Sequence, residues 1–131
     1  MVATRVIEQT VSFKASPHDV YEALMDSAKH AEFTGAPATI SREIGGEFSI
    51  MGGALSGKNI ELVPDQKIVQ SWRSNDWPEG HLSTVSFALE ADNDGTRLSL
   101  THAGVPDDSY DDVQQGWHDY YCSKMKELLE N

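Results

Sequence analysis

Five histidines (His18, His30, His81, His102, His118) and one cysteine (Cys122) are the side chains here best suited to chemistry at neutral pH. They do not fall into a reactive pattern. No HExxH pair, paired-cysteine spacing or carboxylate grouping marks a metal site, so no metal ligand is assigned. His118 and Cys122 are four positions apart and would touch on a helix. A thiolate nucleophile also needs an orienting group and an oxyanion site, and the sequence marks neither. Asp107, Asp108, Asp111 and Asp112 have the charge of a calcium loop without its ligand spacing or central glycine; helix capping accounts for them. The glycine pairs fall between strands, with no phosphate loop, dinucleotide fingerprint or nucleophile elbow around them. The reading is a protein that binds rather than an enzyme, with no catalytic residue and no cofactor.

The aromatics say more. Trp72 falls on an expected strand and Trp117 on the last helix, where each either fills core or lines a pocket between sheet and helix. Trp77 opens the turn Trp77-Pro78-Glu79-Gly80-His81. An indole in such a turn either packs back on its own domain or anchors a partner, which makes Trp77, Glu79 and His81 candidate partner contacts.

These side chains are positioned by elements that the local pattern predicts. From Arg5 to Phe13, Ile7, Val11 and Phe13 share one face of a strand. Ser16-Pro17-His18-Asp19 combines an N-cap serine, a proline at the first helical position and an acid at the third, so a short helix follows. A second short helix covers Ala28 to Phe33 and stops at Gly35 and Pro37. Strands are then expected over Thr39–Ile44, Glu47–Met51, Leu55–Val63, Lys67–Ser74, His81–Ala91 and Thr96–His102. Asp92-Asn93-Asp94-Gly95 forms a four-residue hairpin loop with glycine at a positive φ. Val85, Phe87 and Leu89, like Leu98 and Leu100, alternate with polar residues, the pattern of an antiparallel sheet wet on one side. His102 extends the apolar face of its strand. After Pro106 one helix runs to the end, opened by a capping box of Ser109 and Asp112, with Val113, Trp117, Tyr121 and Leu128 on its apolar stripe. At about 20 residues it spans about 30 Å and crosses the whole sheet.

The chain has 131 residues, of which 10 are basic and 21 acidic, for a formal charge of −11. Such a surface is repelled by phosphate backbones and anionic leaflets, so neither nucleic acid nor membrane is an expected partner. The hydrophobic share of 39% suits one domain, assigned to residues 1–131. A lone cysteine fits a reducing compartment, and the N-terminus lacks the pattern of a signal peptide; a cytoplasmic location is expected.

Taken as motifs, Phe33-Thr34-Gly35-Ala36-Pro37-Ala38-Thr39, Gly45-Gly46-Glu47-Phe48, Leu62-Val63-Pro64, Ile68-Val69, Trp72-Arg73, Trp77–His81, Gly104-Val105-Pro106 and Gly116-Trp117 form a familiar series. In order and spacing it resembles the C-terminal domain of the activators of the heat-shock protein 90 ATPase. The resemblance covers nearly the whole chain and implies an α+β helix-grip (START-like) fold. That is a curved antiparallel sheet of about six to seven strands, with two short helices and a long C-terminal helix packed across it. It also implies that the eukaryotic activators carry a separate docking domain ahead of this one, whereas this chain begins at the first strand. The expected function is a non-catalytic, cochaperone-like binding domain that modulates a heat-shock protein 90 type chaperone. The alternative is carriage of a small hydrophobic ligand in a cavity under the long helix. Its candidate lining is Gln70, Trp72, Phe87, Leu98, Leu100, His102, Trp117 and Tyr121, because these residues share strand parity or the helix stripe.

Overall fold

The computed structural model describes residues 3–130; Met1, Val2 and Asn131, the ends of the expected domain, lie outside the described residues. Strand β1 (Thr4–Phe13) leads into α1 (Pro17–Met25) and α2 (Ser27–Thr34). There follow β2 (Thr39–Ile40), β3 (Glu47–Ile50), β4 (Leu55–Val63), β5 (Lys67–Ser74), β6 (Ser83–Asp92) and β7 (Gly95–Pro106). The last helix begins as α3 (Tyr110–Gly116), widens to a π-helical stretch (Trp117–Cys122) and ends as α4 (Ser123–Leu129). All seven strands join one antiparallel sheet in the order β1-β7-β6-β5-β4-β3-β2.

The helix signals act locally as expected. The Ser16 hydroxyl accepts the Asp19 N–H at 3.1 Å, and Pro17 sits where no intrahelical donor is needed. Asp26 does the same for α2 through the Lys29 N–H, and Gly35 closes that helix at φ 75°. Inward positions alternate along the strands, placing Ile68, Phe87 and Leu100 side by side across β5, β6 and β7.

Three local expectations change. The strand expected over Thr39–Ile44 ends at Ile40, because the backbone from Ser41 to Gly46 turns around Asn59. The buried Asn59 amide donates to the carbonyls of Ser41 and Glu43 at 2.7 and 3.0 Å, and its Oδ1 accepts from Gln70 Nε2 at 3.0 Å. In the β6–β7 hairpin Asp92 pairs with Gly95, so the loop is two residues long and the positive φ (57°) belongs to Asn93. Gly95 is needed for close approach instead: a Cβ there would lie 2.1 Å from the Phe13 carbonyl oxygen. Finally, Ser109 does not cap the last helix. Asp107–Ser109 is wound into a tight 3₁₀ turn, so Ser109 lacks the extended backbone that an N-cap requires.

Candidate functional site

The sheet's concave face and the last helix meet through aromatic rings and one polar chain. Trp117 donates from Nε1 to His102 Nδ1 at 3.0 Å, which leaves the ring proton on Nε2, 2.7 Å from Ser83 Oγ. Ser83 in turn donates to the Trp72 carbonyl at 2.7 Å. The chain runs from helix to β7 to β6 to β5, with both His102 nitrogens and the Ser83 hydroxyl paired. His102 is fully buried, and burial drives its pKa down to about 4, so it is neutral at physiological pH.

A second joint ties α2 to the same helix. His30 Nε2 lies 2.9 Å from the Tyr121 hydroxyl, and Phe33 meets the Tyr121 ring edge-on. Burial lowers His30 to about 4, opposed in part by the nearby Leu24 and Ala23 carbonyls, and raises the Tyr121 phenol well above its ordinary range. Cys122 is buried as well, and desolvation pushes its thiol up to about 11. It is inert at neutral pH.

The Trp77–His81 turn packs back. Trp77 is only 5% exposed; its ring lies 5.4 Å from that of Trp72, and its Nε1 donates to Ser109 Oγ at 3.1 Å. Of the two alternatives for this indole the structure takes the first, which removes Trp77 as an exposed partner contact: the ring finds both an apolar neighbour and an acceptor inside its own fold. The Arg73 guanidinium holds the turn in place by donating to the carbonyls of Trp77, Pro78 and His81 at 2.8–3.3 Å. His81 Nε2 lies 2.8 Å from the Gly104 carbonyl, fixing the other end to β7. Of the three candidate partner contacts, Glu79 is exposed and His81 half-buried.

Space between sheet and helix is divided unequally. Deep in the interior, a void of about 20 Å³ is bordered by His30, Gln70, Trp72, Phe87, Trp117 and Tyr121. It admits one water-sized molecule and no organic ligand. At the edge, a cleft of about 180 Å³ opens to solvent between the Met51–Leu55 turn, the Trp77 turn and the helix. Trp72, Trp117 and Tyr121 border both spaces, and Gln70 and Phe87 only the void. Leu98, Leu100 and His102 border neither, which corrects their assignment as ligand contacts: they are packed shut beneath the helix. The cleft also draws on Met51, Leu55, Asp76, Asp112, Val113 and Tyr120, which the sequence reading had not grouped. For Val113 and Tyr120 the helical stripe was the available signal; for the others, only the approach of distant turns brings them here.

Among the described residues, no group of three or more histidine, cysteine or acidic side chains is placed to hold a metal ion, and no helix is long and apolar enough to cross a membrane. A curved antiparallel sheet closed over a long final helix, with a cleft at their edge, defines a helix-grip domain. Residues 14–130 match the model of the family described as "Activator of Hsp90 ATPase homolog 1-like protein", and the chain belongs to that family. It is 34% identical over 118 residues to the human "Activator of 90 kDa heat shock protein ATPase homolog 1", covering 90% of this chain and 35% of that protein. A Dictyostelium discoideum relative, named an activator of the same ATPase, is 32% identical over 94% of this chain and 32% of its own length. The chain thus spans about a third of the length of the curated relatives it matches. The crystal structure of an HSP90 activator from Plasmodium falciparum superposes with a TM-score of 0.91 at 25% identity, covering 95% of this chain and 96% of that one. Part of the motif series behind the resemblance meets in space: Trp72-Arg73, the Trp77 turn, Gly104 and Trp117 frame the cleft or fix its walls.

Proposed function

We propose that this chain is a non-catalytic, cochaperone-like binding domain that acts in the cytoplasm on a heat-shock protein 90 type chaperone and modulates its ATPase. The observation that carries this reading is the 34% identity, over 90% of the chain, to a relative named as an activator of that ATPase. The site supports it from the other side. Buried neutral His30 and His102 and the raised thiol of Cys122 are tied up in packing, so these three side chains serve the fold. The acidic surface, with a formal charge of −11, favours encounter with a basic face on a protein partner. The test is the ATP turnover of a purified heat-shock protein 90 chaperone with and without the chain, alongside calorimetric binding. Faster turnover with measurable binding is expected. Unchanged turnover together with no binding heat would overturn the reading.

A second reading, carriage of a small apolar ligand, is favoured by the 180 Å³ cleft walled by tryptophan, leucine and valine. It predicts a ligand-dependent rise in melting temperature.

A further inference from the structure

The cleft has a chemical polarity that size alone does not describe. Its inner wall is aromatic: Trp72 and Trp117 lie with ring centroids 5.7 Å apart, and Tyr120, 60% exposed, stands at the mouth. The carboxylates that line it, Asp76 and Asp112, are both exposed. Neither forms an ion pair among the described residues, and no lysine, arginine or histidine lines the cleft. Asp76 takes one hydrogen bond, from the Ser74 hydroxyl, which fixes its direction without neutralising it. Arg73, at the adjoining end of β5, is spent on the carbonyls of Trp77, Pro78 and His81. Inside, the 4% exposed Trp72 has an indole N–H with no partner, so the aromatic wall also carries an unused donor.

Apolar walls with an acidic mouth reject anions and leave a neutral hydrocarbon's solvent end beside two charges it cannot satisfy. A cation on a short apolar stem suits the apolar walls and the acidic mouth together. Its stem fills the cleft, its charge meets the carboxylates, and the ring faces add cation–π attraction. Size sets the stem. A dry cavity of about 150 Å³ accepts a benzene ring, so the 180 Å³ cleft holds one ring or a short alkyl chain with its ammonium at the mouth. The π-helical stretch Trp117–Cys122 begins at this wall; such widened turns recur at functional sites. We infer that the cleft is a binding site for a small organic monocation, an ammonium carried on a single ring or short apolar stem. This deepens the apolar-ligand reading and rests on it.

The experiment compares three probes of one shape by isothermal titration calorimetry at low ionic strength: tyramine, its uncharged alcohol analogue 4-hydroxyphenylethanol, and the anion 4-hydroxyphenylacetate. The amine is expected to bind about five- to tenfold more tightly than the alcohol, with the acid weakest, and its advantage should shrink as salt rises. In the double variant Asp76→Asn, Asp112→Asn the amine and alcohol should become equal; Asp94→Asn, in the remote β6–β7 turn, should keep the preference. Both target aspartates are exposed, and circular dichroism confirms that the variants fold. Equal binding of amine and alcohol by the natural chain overturns the cation assignment while leaving the apolar-ligand reading standing. No binding by any probe overturns both. A preference that survives the double variant overturns the role of the two carboxylates.

Discussion

The indole of Trp117 and the imidazole of His102 share a 3.0 Å hydrogen bond in an interior from which solvent is excluded, and this bond joins the last helix to β7. It holds only while Nδ1 keeps its lone pair, so the closure of sheet on helix depends on a neutral ring. The His30–Tyr121 pair ties α2 to the same helix and likewise contains a histidine held neutral by burial.

Acid should therefore loosen the fold before most carboxylates titrate. Each of the two histidines has a folded pKa of about 4 against an ordinary 6.5. The unfolded chain takes up protons that the folded chain refuses, so stability is full above about pH 6.5 and falls as pH drops toward 4. The shift corresponds to about 3 kcal/mol for each ring at the acid end. Urea midpoints measured from pH 7 to 4.5 should decline, and His102→Gln, though less stable at pH 7, should show a shallower slope. An unchanged slope would remove His102 from the account.

Trp77→Ala should lower stability by about 3–5 kcal/mol, the range for truncating a buried large aromatic. Trp77→Phe keeps part of the ring contact with Trp72 while losing the bond to Ser109, so its cost should be smaller. Chemical denaturation measures both. Arg73→Lys should behave unlike a conservative change, because a single ammonium cannot reproduce the forked contact with three carbonyls. Faster hydrogen exchange confined to residues 77–81 is the expected signature.

Two glycines separate steric from conformational cost. Gly35→Ala meets open space and suffers only from its φ of 75°, so about 1 kcal/mol is expected. Gly95→Ala places a methyl 2.1 Å from the Phe13 carbonyl oxygen and must force β1 away from the hairpin. Its loss of melting temperature should be several times larger.

The thiol of Cys122 should not react with Ellman's reagent in the native protein and should react fully in urea, because burial both shields it and holds its pKa near 11. Rapid native labelling would show that the helix detaches from the sheet far more often than its packing implies.

The order of elements was legible from the sequence because its signals are short in range. Ser16 and Pro17 start a helix within one turn, Gly35 ends one, and the alternation of Val85, Phe87 and Leu89 declares a half-buried strand without reference to any distant residue. The family motifs were legible too, yet what they do was not. Ser109 reads as a cap and serves instead as acceptor for an indole 32 positions earlier. Trp77 reads as a ring in a turn, and whether it faces a partner or the core depends on Trp72, Arg73 and Ser109 arriving together. His102, Leu98 and Leu100 share strand parity with a wall, but parity fixes the face and not the distance to the helix above. Only the packed structure decided that the space over them is closed and that the cleft opens at the edge, between two turns and a helix that are far apart in the chain. Local backbone preferences act over a few residues; hydrogen-bond partners and cavities are set by where the sheet curves away from a straight helix, which no neighbouring residue encodes.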